Sequence, residues 1–500
     1  MQDNFFAELS ISMFPSALLH TFGVHGKISG SIGAVGEMSD VLPIIHGPKG
    51  CGFHYRHSAR RRHQPFYQVL TTDLKETDII GGGEEKLRRT ITDAWELYRP
   101  KMLVVIPSPV SDILNEDIQA VTKEMRSRGV PVVGIQSELF SHRDRNYSRN
   151  RLKKIAEQKI SGDNRLEMDI KGCGFIEALY ALVDQAMEPA EKIPHSVNIE
   201  TVGWGTSGNL VLREIESFLN RCGVTVNAWI PSAPYEKLRT APAAQLNLVR
   251  RVRWAKRMKE RFGTDYLHIG NEGRYTGVDG ICTFYRDIGS ALGIAEQMEP
   301  LIQAARQDTF HKTESARQEI AKYQGMLICR SIQMAPFLLK RYAQDYGIPI
   351  KFLCVILTPE AKKNLSLSDD MQSKLLNRVE EAVALYSPDT KILLNPDEEE
   401  LENCFSQVDA ILGTGDFTWE NKGVPVIHVR NETDSLSFES YIRTVFRIRD
   451  RLQNGQTKNE LLLCKMPFDS RYYPLYRNPE GLAAKEMWSQ MWLRRKEGEK

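Results

Sequence analysis

Apolar residues in this chain fall into two patterns that alternate from one end to the other. Short unbroken runs such as Met102-Leu-Val-Val-Ile106, Val130-Pro-Val-Val-Gly-Ile135, Val224–Ile230, Gly325–Cys329 and Lys351–Leu357 read as strands buried on both faces. Between them lie stretches with apolar residues at helical spacing. Leu87, Ile91, Ala94, Trp95 and Tyr98 make an amphipathic helix over 86–99, and further helices are predicted over 118–129, 210–221, 254–262, 277–292, 300–323 and 334–346. Strands that alternate with helices cannot be joined as hairpins, so they pair in parallel. The prediction is an α/β fold of three doubly wound, Rossmann-like domains with parallel sheets around a central cleft.

The boundaries follow where one unit's helix gives way to the next unit's strand. A first domain covers 1–195, closing near Pro194, and a second covers 196–323, opening with the strand Val197–Gly203. A third covers 324–450, with strands at Thr390–Leu394, Val408–Gly415 and Gly423–Val429 and an acidic linker at Asp397–Glu400. Residues 451–500 form a C-terminal helical extension carrying Trp488 and Trp492. The charged stretch 137–169 reads as an inserted loop or lid.

Composition narrows the partners. With 500 residues, 41% hydrophobic, 26% charged and a net charge of +2, the chain is ordinary globular material for about three domains. Neither nucleic acid nor a membrane is expected, because charge is balanced and no apolar run nears the ~18 residues of a membrane span. The start of the chain lacks a basic and apolar leader, so a cytoplasmic location is expected. Eight cysteines are scattered without framework spacing, several inside strand-like runs (Cys329, Cys354), as free buried thiols would be.

One stretch stands out, His46 to Leu87. His46-Gly-Pro-Lys-Gly-Cys51-Gly sets one cysteine in a glycine- and proline-bounded turn, suited to presenting its sulfur to a ligand. A basic segment follows with Arg56, Arg60, Arg61 and Arg62, fitted to an anion. Thr71-Thr-Asp-Leu-Lys-Glu-Thr-Asp78, Ile79-Ile80 and Gly81-Gly-Gly-Glu84-Glu-Lys86 then read as a loop, a short turn and a helix start. Spacing alone supports only a glycine-rich turn with one cysteine, which in isolation is as well explained by packing.

The order and wording of these segments resemble the nitrogenase component 1 family, in which an HGPxGC turn is followed by TTDLxExDIIFGGEEKL; Gly81 replaces the usual phenylalanine. The resemblance implies that Cys51 binds an iron–sulfur cluster of four irons or more at the interface between two homologous subunits. Two further cluster cysteines are replaced: the first by His25, and the one at the end of the strand 101–106 by Ser108, whose hydroxyl is a candidate ligand or a structural serine. The family's catalytic subunits hold a second metal cluster by a cysteine after the segment matching Pro242–Val249, where Arg250 and Arg251 stand here, and by a histidine just beyond His428. The second cluster's usual ligands are therefore absent. The cofactor-binding set expected on this basis is Cys51, Arg56, Arg60, Arg250 and Arg251, with Cys51 and Ser108 as metal ligands; Arg61 and Arg62 are further candidates for lining the cleft.

Three functions fit the resemblance. The chain is a subunit of a nitrogenase-like reductase that takes electrons from an ATP-dependent iron protein to reduce something other than dinitrogen, a scaffold for assembling an iron–sulfur cofactor, or a metal-free structural pseudo-subunit. Its partner is a paralogous subunit or a second copy of itself. One thiolate cannot hold a four-iron cluster alone, so a monomer is not expected to function.

Overall fold

The computed structural model describes residues 27–453 apart from 37, 39, 54–68, 137–173, 202–205, 270–273, 330–331, 357–368, 414–423 and 428–435. His25, Arg56, Arg60, Arg61, Arg62, the stretch 137–169, Cys173, His428, Cys464, Trp488 and Trp492 lie outside the described residues.

Three parallel sheets carry the fold. The first contains β1 (Val41–His46), β2 (Leu70–Thr71), β3 (Met102–Pro107) and β4 (Val132–Gly134) in the order β2-β1-β3-β4. The second contains β5 (Ile193–Glu200), β6 (Thr225–Ile230), β7 (Ala244–Val249) and β8 (Asp265–His268) in the order β6-β5-β7-β8. The third contains β9 (Gly325–Cys329), β10 (Ile350–Val355), β11 (Lys391–Leu394), β12 (Ala410–Gly413) and β13 (Val426–Ile427) in the order β11-β10-β9-β12-β13. In each sheet the chain starts in the interior, winds to one edge and then returns to the other side. The reversal points lie between β1 and β3, between β5 and β7, and between β9 and β12. Crevices at the carboxyl ends of such strand pairs are where open α/β sheets bind ligands.

Helices cover both faces of the first sheet, which is why β1 and β3 are buried throughout and, His46 apart, apolar. Leu103 and Val105 of β3 point into one core with Leu87 and Ile91 of α3 (Glu84–Tyr98) and Val121 and Met125 of α5 (Ile118–Ser127). Between these elements the chain also forms α2 (Glu76–Gly81) and α4 (Pro109–Ile113). Met102, Val104 and Ile106 point the other way, toward Ile28 and Ile32 of α1 (Lys27–Val35) and Phe175 and Leu179 of α6 (Gly174–Gln185). That second core does not stop at the sheet. It runs on into Val249 of β7 and Trp254, Ala255 and Met258 of α8 (Val252–Phe262), while a larger core, which takes in Leu212 and Phe218 of α7 (Thr206–Arg221), joins the second and third sheets.

Several bounds differ from the sequence reading. The acidic stretch at Asp397–Glu400 is the start of a helix, Glu398–Phe405, because Asp397 Oδ1 accepts from the Glu400 amide at 2.8 Å and Glu400 reaches back to the Asp397 amide at 3.2 Å. The single helix expected over 334–346 is instead a turn at Ile332–Met334, an α segment Ala335–Leu339 entered through Pro336, and a π-helical turn Lys340–Asp345. The helix expected over 300–323 begins earlier, at Ala295, and ends at Ile320, with Pro300 inside it as the sixth residue, where the missing amide removes a bond to the Glu296 carbonyl. Strand β5 begins at Ile193, so the first unit closes slightly before Pro194.

Close approach of α1 and α6 sets how the first core is sealed. A Cβ on Gly174 would run into the Lys27 carbonyl and lie 2.8 Å from the Ser31 amide, and the Ser31 hydroxyl already donates to the Gly174 carbonyl at 3.1 Å. Gly174→Ala should therefore push the two helices apart and cost about 1–3 kcal/mol. Urea unfolding should show a lower midpoint at unchanged slope, whereas an unchanged midpoint would show that the helices have room.

Candidate functional site

β1 ends at His46, whose imidazole is fully buried. Its Nδ1 lies 3.0 Å from Thr72 Oγ1, and its Nε2 meets Glu116 Oε2. The second Glu116 oxygen accepts from the Gly83 amide, at the start of α3. Burial draws the His46 pKa below its ordinary value against the opposing pull of Glu116, so the ring is neutral near pH 7. Its one proton belongs on Nε2, because a carboxylate can only accept, whereas the Thr72 hydroxyl can donate to Nδ1 while accepting from the Gly47 amide at 3.0 Å.

The turn after His46 is clamped on both sides. Ser108 donates its amide to the His46 carbonyl at 3.2 Å, and Leu74 donates to the Gly47 carbonyl at 3.2 Å. Residues 49–53 then form a helical turn, with the Cys51 amide bonded to the Pro48 carbonyl at 3.0 Å. A Cβ at Gly47 would collide with the Ser108 hydroxyl and would lie 3.9 Å from Cys51 Sγ. Glycine at 47 is thus what lets the ends of β1 and β3 close on each other, and it brings the Cys51 sulfur and the Ser108 hydroxyl to one place at the reversal point of the first sheet. Lys27, which opens α1, pairs with Asp112 of α4 at 2.6 Å and so draws the start of α1 to the same end.

Cys51 is half-buried, and burial raises its pKa, so the bare group is a thiol at neutral pH. A soft metal would displace that proton. Ser108 is fully buried and caps α4: its Oγ accepts from the Ser111 amide at 3.3 Å, and its own amide donates to Ser111 Oγ at 2.9 Å. Its hydroxyl proton is left for another acceptor. The remaining described thiols are buried in cores, with pKa values pushed up to about 11 at Cys282, about 12 at Cys354 and still higher at Cys329. They are inert packing groups. Among the described residues no three His, Cys, Asp or Glu side chains are grouped to hold a metal ion. Cys51 and Ser108 are two neighbouring donors, fewer than a four-iron cluster needs.

Exposed apolar groups stand on all three elements leaving this end of the sheet: Phe53 after the Cys51 turn, Ile80 on α2 and Ile113 on α4, at 64%, 88% and 65% exposure. An apolar rim of this kind suits another protein surface.

The reversal point of the second sheet is filled differently. Glu200, at the end of β5, is buried and accepts from the Arg250 and Arg251 amides at 2.9 and 3.1 Å, from Trp254 Nε1 at 3.1 Å and from the Arg251 guanidinium. Arg251 also lies 4.1 Å over the Phe175 ring. Its charge is paired with Glu200 inside the chain, and the guanidinium joins α6 to the second sheet. Arg250 is likewise buried beside Glu200. The same seam continues along α8, where Arg253 pairs with Glu177 at 3.4 Å and Arg257 with Asp184 at 2.7 Å. No soft ligand stands at 250 or 251, and this crevice does not fit a second metal cluster held as the family resemblance would require.

Thr72, Glu116 and Glu200 carry these sites, and none was singled out from sequence. An acidic residue directly ending an apolar strand, as in Asn198-Ile-Glu200, was the available signal for Glu200. Glu116 sat within the acidic stretch opening α5 with nothing to separate it from Asp117.

Comparison with known proteins gives concordant matches. Residues 27–452 match the family model for nitrogenase component 1 type oxidoreductases. The chain is 29% identical over 264 residues to the nitrogenase molybdenum-iron protein alpha chain of Clostridium pasteurianum, covering 51% of this chain and 44% of that one. It is 25% identical over 307 residues to the nitrogenase iron-molybdenum cofactor biosynthesis protein NifE of Methanococcus maripaludis, covering 59% and 56%. The matched region thus spans about half the length of these curated relatives. The solved structure of nitrogenase Cp1 at pH 6.5 superposes with a TM-score of 0.53 at 18% identity, over 89% of this chain and 90% of that one, and supports the fold.

Two outcomes follow from the geometry. His46 titrates lower folded than its unfolded value of about 6.5, so its contribution is complete above that pH and is lost as the unfolded chain takes up a proton below it. Unfolding free energy measured in urea should fall from about pH 6.5 downward, and His46→Gln should flatten that part of the profile. Glu200→Ala should cost about 3–5 kcal/mol by leaving a buried guanidinium without its carboxylate, and pairing it with Arg251→Met should recover part of the loss. Equal midpoints for Glu200→Ala and the parent protein would show that the hub is not stabilising.

Proposed function

Because the chain belongs to the nitrogenase component 1 type oxidoreductase family, we propose that it is a subunit of a nitrogenase-like reductase that receives electrons from an ATP-dependent iron protein and reduces a substrate other than dinitrogen. The observation that carries this reading is the juxtaposition of Cys51 Sγ and the Ser108 hydroxyl across Gly47, at a sheet reversal point with an apolar rim. A cluster bound there would supply one-electron transfer. This chain's part is to contribute the Cys51 thiolate, with Ser108 as a second donor, and to hold the turn through Thr72 and His46. The remaining ligands come from a paralogous subunit, or a second copy, seated on Phe53, Ile80 and Ile113. Arg56, Arg60, Arg250 and Arg251 complete the proposed cofactor-binding set with Cys51.

The reading leaves out dinitrogen because arginines stand at 250 and 251, where the resemblance calls for a cysteine, and their amides bond Glu200. The divisions 1–195, 196–323, 324–450 and 451–500 are proposed as domains, supported by one sheet in each of the first three. A cytoplasmic site of action accords with the family and with a described structure in which no helix is long and apolar enough to cross a membrane.

A scaffold for cofactor assembly is the second reading, favoured by matches to NifE proteins from several organisms. Reductive turnover with an iron protein separates the two, and a complex isolated anaerobically without iron would sink both in favour of a structural pseudo-subunit. In that complex Cys51→Ala should lower iron per chain and stop electron transfer from the iron protein. Cys329→Ala should cost only roughly 1 kcal/mol of stability. Because the Cys51 thiol must lose a proton to bind metal, iron retention should weaken as pH falls. Unchanged iron in Cys51→Ala would show that the partner holds the whole cluster.

A further inference from the structure

We propose that Glu116 is a positioning residue for the Cys51 turn, acting through His46, an inference that rests on the reading of Cys51 as the metal-holding thiolate. Its side chain is 5% exposed, and its two oxygens reach two different elements: the His46 imidazole at the end of β1 and the Gly83 amide at the start of α3. A carboxylate at the N-terminus of a 15-residue helix is favoured there by the helix dipole. Glu116 is itself anchored by its amide to the Ser111 carbonyl at 3.3 Å, within the α4 turn that Ser108 caps.

The ring that Glu116 holds is the first fixed point of the turn. From it the clamps run in sequence: Thr72 Oγ1 on His46 Nδ1 and on the Gly47 amide, each at 3.0 Å, Leu74 on the Gly47 carbonyl at 3.2 Å, and Pro48 to Cys51 at 3.0 Å. Removing the carboxylate frees Nε2 in a buried place and leaves the Gly83 amide without an acceptor. The imidazole then turns, Thr72 loses its partner, and the sulfur five residues on is no longer set against Ser108. Glutamine would preserve the arrangement: its carbonyl accepts from Gly83, its amide donates to Nε2, and the ring proton moves to Nδ1 and toward Thr72. Positioning by Glu116 therefore requires a hydrogen-bonding group of this shape and not a negative charge.

Site-resolved alkylation of the purified protein tests this. In Glu116→Ala the rate at Cys51 should rise about tenfold, the scale at which supporting groups tune a ligand, while Cys282, Cys329 and Cys354 stay at parent rates. Glu116→Gln should return Cys51 to the parent rate, with the imidazole tautomer exchanged in nitrogen NMR. A rise shared by all the buried cysteines, or no rise at Cys51, overturns the proposal. Should Glu116→Ala fail to fold, Thr72→Val removes the opposite clamp and decides on the same readout. Iron per chain in Cys51→Ala is measured in parallel: if it is unchanged, the ligand reading fails, while the alkylation pattern still decides whether Glu116 positions the turn.

Discussion

A buried carboxylate whose partners among the described residues are an imidazole and an amide is the constraint around which the first unit is built. Glu116 is reached by a histidine 70 residues away and an amide 33 residues away, and only the closure of the sheet brings the three together. Leaving any member alone would strand a polar group out of water, a cost of the order of 1–3 kcal/mol each. The network is therefore all-or-none. It ties the end of β1, the loop after β3 and the start of α3 into one rigid corner, and the cysteine turn hangs from that corner.

The first and second sheets use the same topology to opposite ends. At the first reversal point a glycine leaves room, and a sulfur and a hydroxyl both lie within 4 Å of the place its Cβ would take. At the second, one carboxylate gathers two amides, an indole and a guanidinium. A doubly wound sheet provides the crevice, but the residues at its strand ends decide whether it is a site or a joint.

That joint also explains why the units do not read as independent bodies. Arg251 stacks on Phe175, and Arg253 and Arg257 meet Glu177 and Asp184 along α6, so a basic helix that looks solvent-facing in one dimension is an ionic seam between the first and second sheets. Beneath it a continuous apolar core crosses from Leu179 to Trp254. The Arg253–Glu177 pair, the more buried of the two, is costly to separate, which resists hinge motion at this boundary.

The sequence by itself determined the strand and helix order, because periods of apolar residues are local and survive without tertiary context. It located the Cys51 turn, placed Ser108 at a strand end and marked Cys282, Cys329 and Cys354 as core thiols, since each is legible within a few residues of itself. Its misses are of another kind. A charge in a list does not say whether it meets water or a partner, so the pairing of Arg251 with Glu200, 51 residues earlier, was not visible. The start of the helix at Glu398 was hidden inside what read as an acidic linker, because a capping bond depends on backbone geometry as well as composition. Only the folded chain decided that Gly47 seats the Ser108 hydroxyl, that Thr72 and Glu116 share one imidazole, and that Glu200 gathers Arg250, Arg251 and Trp254. Each of those facts joins residues that the chain separates by dozens of positions, and no local pattern encodes such a distance.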